Sequence, residues 1–158
     1  MRQSNPRRKR AFSLIELVIV VVIIGIIAAI AIPRMSRGAE GAADAALNGD
    51  LAVMRSSIDL FVTEHVGTYP NLATFAAEMT GNTNLAGTAG SGAGFIYGPY
   101  LRAVPPLPVG MQKGNNGVKA LPPDGSGADM GWAYDAATGE IRANSVDFDV
   151  NGDPYSGY

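Results

Sequence analysis

From Phe12 to Ile32 the chain reads FSLIELVIVVVIIGIIAAIAI, 21 residues interrupted by one charge, Glu16. At a helical rise of about 1.5 Å per residue this run spans about 30 Å, the thickness of a bilayer's hydrocarbon core. It is longer than the apolar region of a secretory signal peptide, about 7–15 residues, so the pattern predicts a membrane-spanning helix. Pro33 closes the run, and the pattern then changes. Apolar residues recur at Leu47, Leu51, Met54, Ile58, Phe61 and Val62, largely in steps of three and four. That spacing predicts an amphipathic continuation able to pack along a globular domain. Gly67 is expected to end the helix, and Tyr69-Pro70 to prevent its resumption. A continuous helix from Phe12 to His65 would be about 80 Å long. Gly25, Pro33, Gly38 and Gly41 are its weak points. They mark either tolerated flexibility or a section that bends or melts.

Beyond the helix the patterns shorten. Asn71 is placed to cap a short helix with Leu72, Phe75, Ala76 and Met79 on one face, stopped by Gly81. Residues 81–94, GNTNLAGTAGSGAG, read as a mobile small-residue loop. Phe95–Tyr97 and Tyr100–Val104 suggest short extended pieces. VPPLPVG at 104–110 reads as a structural loop ahead of a proline-motif ligand, and 111–130 as a long loop. The clearest local element is GWAYD-AATG-EIRAN, residues 131–144. Trp132 alternates with Tyr134 and Ile141 with Ala143 across a four-residue connection containing Gly139, which predicts a β-hairpin. Its apolar face is expected to cover the helical stripe, with Trp132 in the core. The fold class is α+β: a long N-terminal helix, transmembrane in its first half, packed on a small antiparallel sheet.

Charge sharpens this picture. Arg2, Arg7, Arg8, Lys9 and Arg10 precede the apolar run, and without them the formal net charge falls from −2 to −7. From Ala120 onward there are seven acidic residues and one basic residue, Arg142. An acidic domain repels a polyanion, so no nucleic-acid partner is expected. The N-terminal cations read instead as a topology signal, with the N terminus cytoplasmic and the C-terminal domain across the membrane. The chain has no cysteine, so an exported domain must be held by its core, a metal or neighbouring subunits.

Glu16 is out of place for a plain anchor. A carboxylate near the start of an apolar helix costs a few kcal/mol unless paired. One reading puts it at headgroup level, where water reaches it. The other supplies a cation. A cut between Ala11 and Phe12 creates an α-amino group four residues before Glu16. In a bundle of parallel helices, Glu16 of one subunit then meets the Phe12 amine of its neighbour, neutralising a buried charge and setting the axial stagger.

These residues are recognisable as a group. RAFSLIELVIVVVIIGIIAAIAIP resembles the N-terminal signature of type IV pilins and type II secretion pseudopilins, the class III signal peptide. The resemblance covers about 25 residues after the basic leader. It implies cleavage by prepilin peptidase between Ala11 and Phe12, N-methylation of Phe12, subunit docking through Glu16 and a helix kink at Pro33. The family usually carries glycine before the cut. Ala11 is the smallest replacement, and cleavage is still expected. GTYP at 67–70 resembles the G-x-YP element that closes the long helix of major pseudopilins, and PYLRAVPPLP is similar, more loosely, to the region before their sheet.

One further motif stands near the end. Residues 147–153, DFDVNGD, place oxygen side chains at positions 1, 3 and 5 and glycine at 6, as at the start of a Ca²⁺ loop. Asp147, Asp149, Asn151 and Asp153 are the candidate ligands. Position 12, usually a bidentate glutamate, is Tyr158. Resemblance to the calcium-binding major pseudopilins adds weight to this reading, the alternative is a solvated acidic tail, and the residues by themselves establish no cofactor. No catalytic constellation appears. His65, the one histidine, reads as a capping partner at a helix C terminus. Ser56 and Ser57 lie on the helix without a nucleophile turn, and GSGAG at 90–94 does not follow a strand. No enzymatic activity is expected.

The organisation expected is a basic leader at 1–11, a transmembrane and assembly helix at 12–33, its amphipathic continuation at 34–66 and a globular domain at 67–158. The function implied is that of a structural subunit of a type II secretion pseudopilus. It would be anchored by one span in a bacterial inner membrane with its domain in the periplasm. Its partners would be copies of itself, minor pseudopilins, prepilin peptidase, and an inner-membrane assembly platform with its ATPase. A surface type IV pilin for adhesion, motility or DNA uptake is the alternative within the class. A membrane-anchored binding domain that never polymerises is the alternative outside it.

Overall fold

The computed structural model describes residues 12–158, with the side chains of Pro33, Ser36 and Arg37 left aside. Ala11 and the basic leader lie outside the described residues. The chain divides into two compact units, Met1–Gly38 and Ala39–Tyr158. Helix α1, Leu14–Glu64, contributes to both.

In the first unit the helix is bare. Every large apolar residue from Leu14 to Ile32 is exposed. The helical assignment continues through Pro33, although proline has no N–H to offer the carbonyl of Ala29.

In the second unit the stripe does what its spacing predicts. Leu47, Leu51, Met54, Ile58 and Phe61 are all buried, and Val62 packs beside them. Burying each such side chain stabilises the fold by about 1.5–3 kcal/mol. The helix stops three residues before Gly67. The Gly67 amide donates to the carbonyl of Val62 (2.9 Å), and Thr68 to His65 (3.1 Å). That wrap needs two left-handed residues, Val66 (φ 55°) and Gly67 (φ 85°). Glycine takes this conformation freely, whereas a β-branched valine is strained in it.

Asn71 caps as expected, accepting from the Ala73 amide (2.9 Å). It opens a 3-10 turn, Leu72–Thr74, followed by α2, Phe75–Thr80. Phe75 and Met79 are buried, but Ala76 is exposed and Glu78 takes the third buried place. The loop after Gly81 is pinned rather than mobile. Thr83 is fully buried and bridges both Ala89 and Tyr97, and the Asn84 side chain accepts from Ala86 and Thr88.

The sheet corrects the antiparallel expectation. It is mixed, in the order β1 (Gly117–Ala120), β2 (Met130–Tyr134), β3 (Ile141–Ala143). β2 and β3 form the expected hairpin, pairing Trp132 with Ala143 and Tyr134 with Ile141. β1 lies in the stretch expected as loop and pairs parallel with β2. GVKA has one β-branched residue, so only the distant partner makes it a strand. With β1 on its other edge, β2 is buried on both faces, Ala133 included. Trp132 is fully buried, its indole N–H on the Pro105 carbonyl (2.8 Å). Tyr134 is buried too and donates to the Pro70 carbonyl (3.0 Å). Its hydroxyl pKa is pushed up, first by burial. Val104, Leu107 and Val109 of the proline-rich stretch join the same core.

Candidate functional site

The first candidate lies at the tip of α1. The carbonyl of Ser13 accepts from the amides of Glu16 (3.1 Å) and Leu17 (3.2 Å), which starts the helix. Ser13 and Glu16 also have the serine-to-glutamate spacing of a capping box. Glu16 sits exposed in the first turn, where the helix dipole favours a negative charge. Phe12 is exposed beside it. No cation among the described residues pairs with Glu16 in a salt bridge. One carboxylate, a positive helix end and a bare apolar helix suit lateral contact with another molecule, and they supply no chemistry of their own.

The second candidate is the acidic loop, and here the residues do not converge. Both oxygens of Asp149 are occupied. Oδ1 accepts from the amides of Asn151 and Asp153, each at 2.8 Å. Oδ2 accepts from Asn151 Nδ2 (3.1 Å) and the Tyr158 hydroxyl (2.6 Å). Four donors fill the sites a carboxylate offers. The hydrogen bond from Tyr158 is the main reason the Asp149 pKa falls to about 2, and the same bond pushes the Tyr158 hydroxyl up to about 12. Asp147 turns the other way, its Oδ2 accepting from the Met111 amide (2.8 Å) and the Ser145 hydroxyl (3.1 Å). Asn151 spends its side chain as a donor, and Asp153 gives its carbonyl to the Asp149 amide (2.8 Å). Among the described residues no three acidic, histidine or cysteine side chains gather as metal ligands. As placed, the donor set does not fit a calcium shell. It caps a turn.

Nor is the tail a solvated strand. Tyr155 is buried, and its hydroxyl donates to Asp44 Oδ1 (2.6 Å). Burial and then that bond push the Tyr155 hydroxyl pKa up. The Val150 amide reaches Asp44 Oδ2 (3.3 Å), and Arg55 donates to the carbonyls of Tyr158 (2.7 Å) and Ile141 (3.1 Å). The tail is thus fastened along α1. Asp44, Tyr155 and Arg55 were not singled out from sequence, yet one signal was present. Counted back from Leu47, the apolar stripe falls on Asp44, a carboxylate that needs a partner once buried.

Asn144, fully buried, is another residue the sequence hid. Its Oδ1 accepts from the amides of Asp124 and Gly125, and its Nδ2 donates to the carbonyls of Ser126 and Met130. One side chain thereby closes the loop that delivers β1 to β2.

His65 is a core residue at the helix end. Its Nδ1 lies 2.7 Å from the Phe61 carbonyl, which can only accept, so Nδ1 carries the hydrogen. Nε2 shares a hydrogen bond with the Thr83 hydroxyl (2.9 Å), and the ring stacks on Phe61 at 3.9 Å. Tyr100, beside it, donates to Glu64 (2.6 Å); burial and then that contact push its pKa up to about 12. Both ring nitrogens are committed to holding the helix end.

The family model for the prokaryotic N-terminal methylation motif matches residues 6–32. The match runs from the basic leader through the apolar span and ends there. It makes this segment type IV pilin-like, indicates a substrate of prepilin peptidase, and with the 19-residue apolar stretch Leu14–Ile32 points to membrane anchoring. No curated protein and no solved structure matches the chain.

Proposed function

We propose that the chain is a structural subunit of a type II secretion pseudopilus, cut between Ala11 and Phe12 by prepilin peptidase, methylated at Phe12 and polymerised through α1. One observation carries the reading. A bare apolar helix, with a carboxylate in its first turn and a methylation motif at its start, is joined to a domain whose core is complete without it. The domain needs no help from those apolar residues, so their partners are lipid and the same helix of other copies. In the hydrocarbon region Glu16 is tolerated when it meets the neighbour's new amine.

The choice of pseudopilus over surface pilus is supported by the helix exit. Gly67 turns the chain, Tyr69 packs against the core, and the Pro70 carbonyl holds Tyr134. These residues give the G-x-YP element a structural task. In this reading the subunit waits in the inner membrane with its domain in the periplasm. An assembly platform and ATPase extrude it, minor pseudopilins accompany it, and it catalyses nothing.

Mass spectrometry of the mature N terminus tests the processing step: a species beginning at N-methyl-Phe12 is expected. A retained leader, or a cut beyond Ile32, overturns it. Glu16→Ala should abolish filaments while leaving membrane insertion and domain folding unchanged. Normal filaments from that variant would remove the pairing, and intact function with no filaments from either the variant or the parent chain would favour the non-polymerising anchor.

A further inference from the structure

The segment after β3 has its polarity inverted. Asn144, Ser145 and Asp149 are buried and Asp147 is half-buried, each bonded as described. The intervening Val146, Phe148 and Val150 are 52%, 64% and 52% exposed. Alternate residues of an extended chain share a face, so Val146 and Phe148 lie on one face of the Ala39–Tyr158 unit, and Val150 is exposed in the turn that follows. A bridge between Phe148 and Pro154 fixes this row. Met111, also exposed, adjoins it through the bond from its amide to Asp147. Carboxylates turned inward and apolar groups turned outward waste burial in a lone molecule. An apolar row with a polar rim marks an interaction surface.

The rim decides the partner. Exposed Asp153 stands beside Pro154, the bridge partner of Phe148, and the chain from Ala120 onward is strongly acidic, with exposed Lys113 a cation two residues from Met111. An anionic bilayer surface is therefore disfavoured. The complement is an apolar surface bearing cations, and this chain has one. Ile30, Ile32 and Met35 are exposed on α1, with Arg34 exposed among them. The sequence adds Arg37, and these two arginines are the only cations between Phe12 and Met54.

We propose that the Val146–Phe148–Val150 row of one copy docks on the Ile30–Arg37 stretch of α1 in a second copy. Apolar side chains meet, and Arg34 answers the acidic rim. The inference rests on the assembly reading, since it needs copies held side by side.

The absence of native cysteine makes the test direct. Full-length Val146→Cys and Met35→Cys variants, carrying different tags, are produced together in a host supplying prepilin peptidase and the assembly machinery. They are then treated with a short bismaleimide. The expected product is a mixed dimer bearing both tags. It should be lost when Phe148→Asp is added to the first copy. It should fall when Arg34→Glu is added to the second and recover with Asp153→Arg on the first. A parallel pair carrying Ile19→Cys in both copies reports helix stacking alone. Ile19 dimers without the mixed dimer would overturn the docking and spare the assembly reading; absence of both products would overturn the two together. A mixed dimer indifferent to Phe148→Asp and Arg34→Glu also overturns the docking. So does capture of a different polypeptide, or shielding of the introduced thiol at position 146 by lipid without a mixed dimer.

Discussion

Between Leu14 and Ile32, helix α1 presents large apolar side chains on every face, and none is buried. Between Asp44 and His65 the same helix gathers its apolar residues into one stripe, and that stripe is buried against a hairpin, a proline-rich loop and a fastened tail. The two regions differ in what completes them. The second is satisfied within the chain, down to its polar groups. The first is satisfied only by what lies outside, whether hydrocarbon or another helix. A helix apolar all round is a core helix or a membrane helix, and among the described residues none buries this one.

The largest effect should come from moving one truncation between the two regions. Phe61→Ala removes a ring packed on His65 and Tyr100 and should cost about 3–5 kcal/mol. Chemical denaturation of the full chain in detergent reads this as a lower midpoint. Ile23→Ala, in the bare region, should leave that midpoint unmoved. Equal losses at the two sites would mean that the first region also packs within the chain, and the contrast would fail.

Asn144→Ala should come next. It removes the partner of two amides and two carbonyls of the 124–130 loop, at about 1–3 kcal/mol in all, because Asp124 and Ser126 are exposed and water replaces part of what is lost. Asn144→Asp should not rescue it, because a carboxylate cannot donate to Ser126 and Met130. Rescue by Asp would show that the acceptor side alone holds β1 in place.

What the sequence disclosed follows the range of each interaction. The stripe from Leu47 to Phe61 and the Trp132–Ala143 hairpin were legible because their periods lie within a few residues. β1 was not, since a four-residue parallel edge takes its identity from β2 across a loop. The tail was not, since Tyr155 meets Asp44 across 111 positions. At the candidate site, DFDVNGD has the residue types of a cation loop, yet Asp149 turns onto the loop's own amides and Tyr158 while Asp147 turns away to Met111 and Ser145. Composition could not distinguish those outcomes, because a carboxylate that caps a turn and one that binds a cation look alike in sequence. The methylation motif at residues 6–32 was legible, because it lies in consecutive residues and depends on no distant part of the chain.

Acid should loosen the second region at the tail first. The Asp149 pKa is lowered in the folded chain to about 2 from a usual 3.8. A depressed carboxylate stabilises the fold above its unfolded pKa, and that support is lost as pH falls through the folded value. The window is therefore about pH 4 down to about 2. Protection of the Asn151 and Asp153 amides from hydrogen exchange, taken relative to the intrinsic rate at each pH, should fall there before the core strands respond. Asp149→Asn should remove the pH step at those two amides. An unchanged step would place the titration on another group.

The smallest effect concerns the boundary between the regions. Gly41 lies in α1 just past Gly38, where the first unit ends, and a Cβ at either position would meet nothing within 4 Å. Packing within the chain therefore gives no reason for glycine there. Glycine in a helix interior costs about 0.5–1 kcal/mol relative to alanine, through the freedom it loses on folding. Gly41→Ala should raise the unfolding midpoint of the full chain by that small amount. If filaments then form less readily although the subunit is more stable, the glycine serves the step in which the bare region changes surroundings, from lipid to neighbouring helices. If filaments form as before, the weakness is tolerated rather than used. A lower midpoint would break the comparison at its joint, because it would mean that something packs closely where the chain alone shows open space.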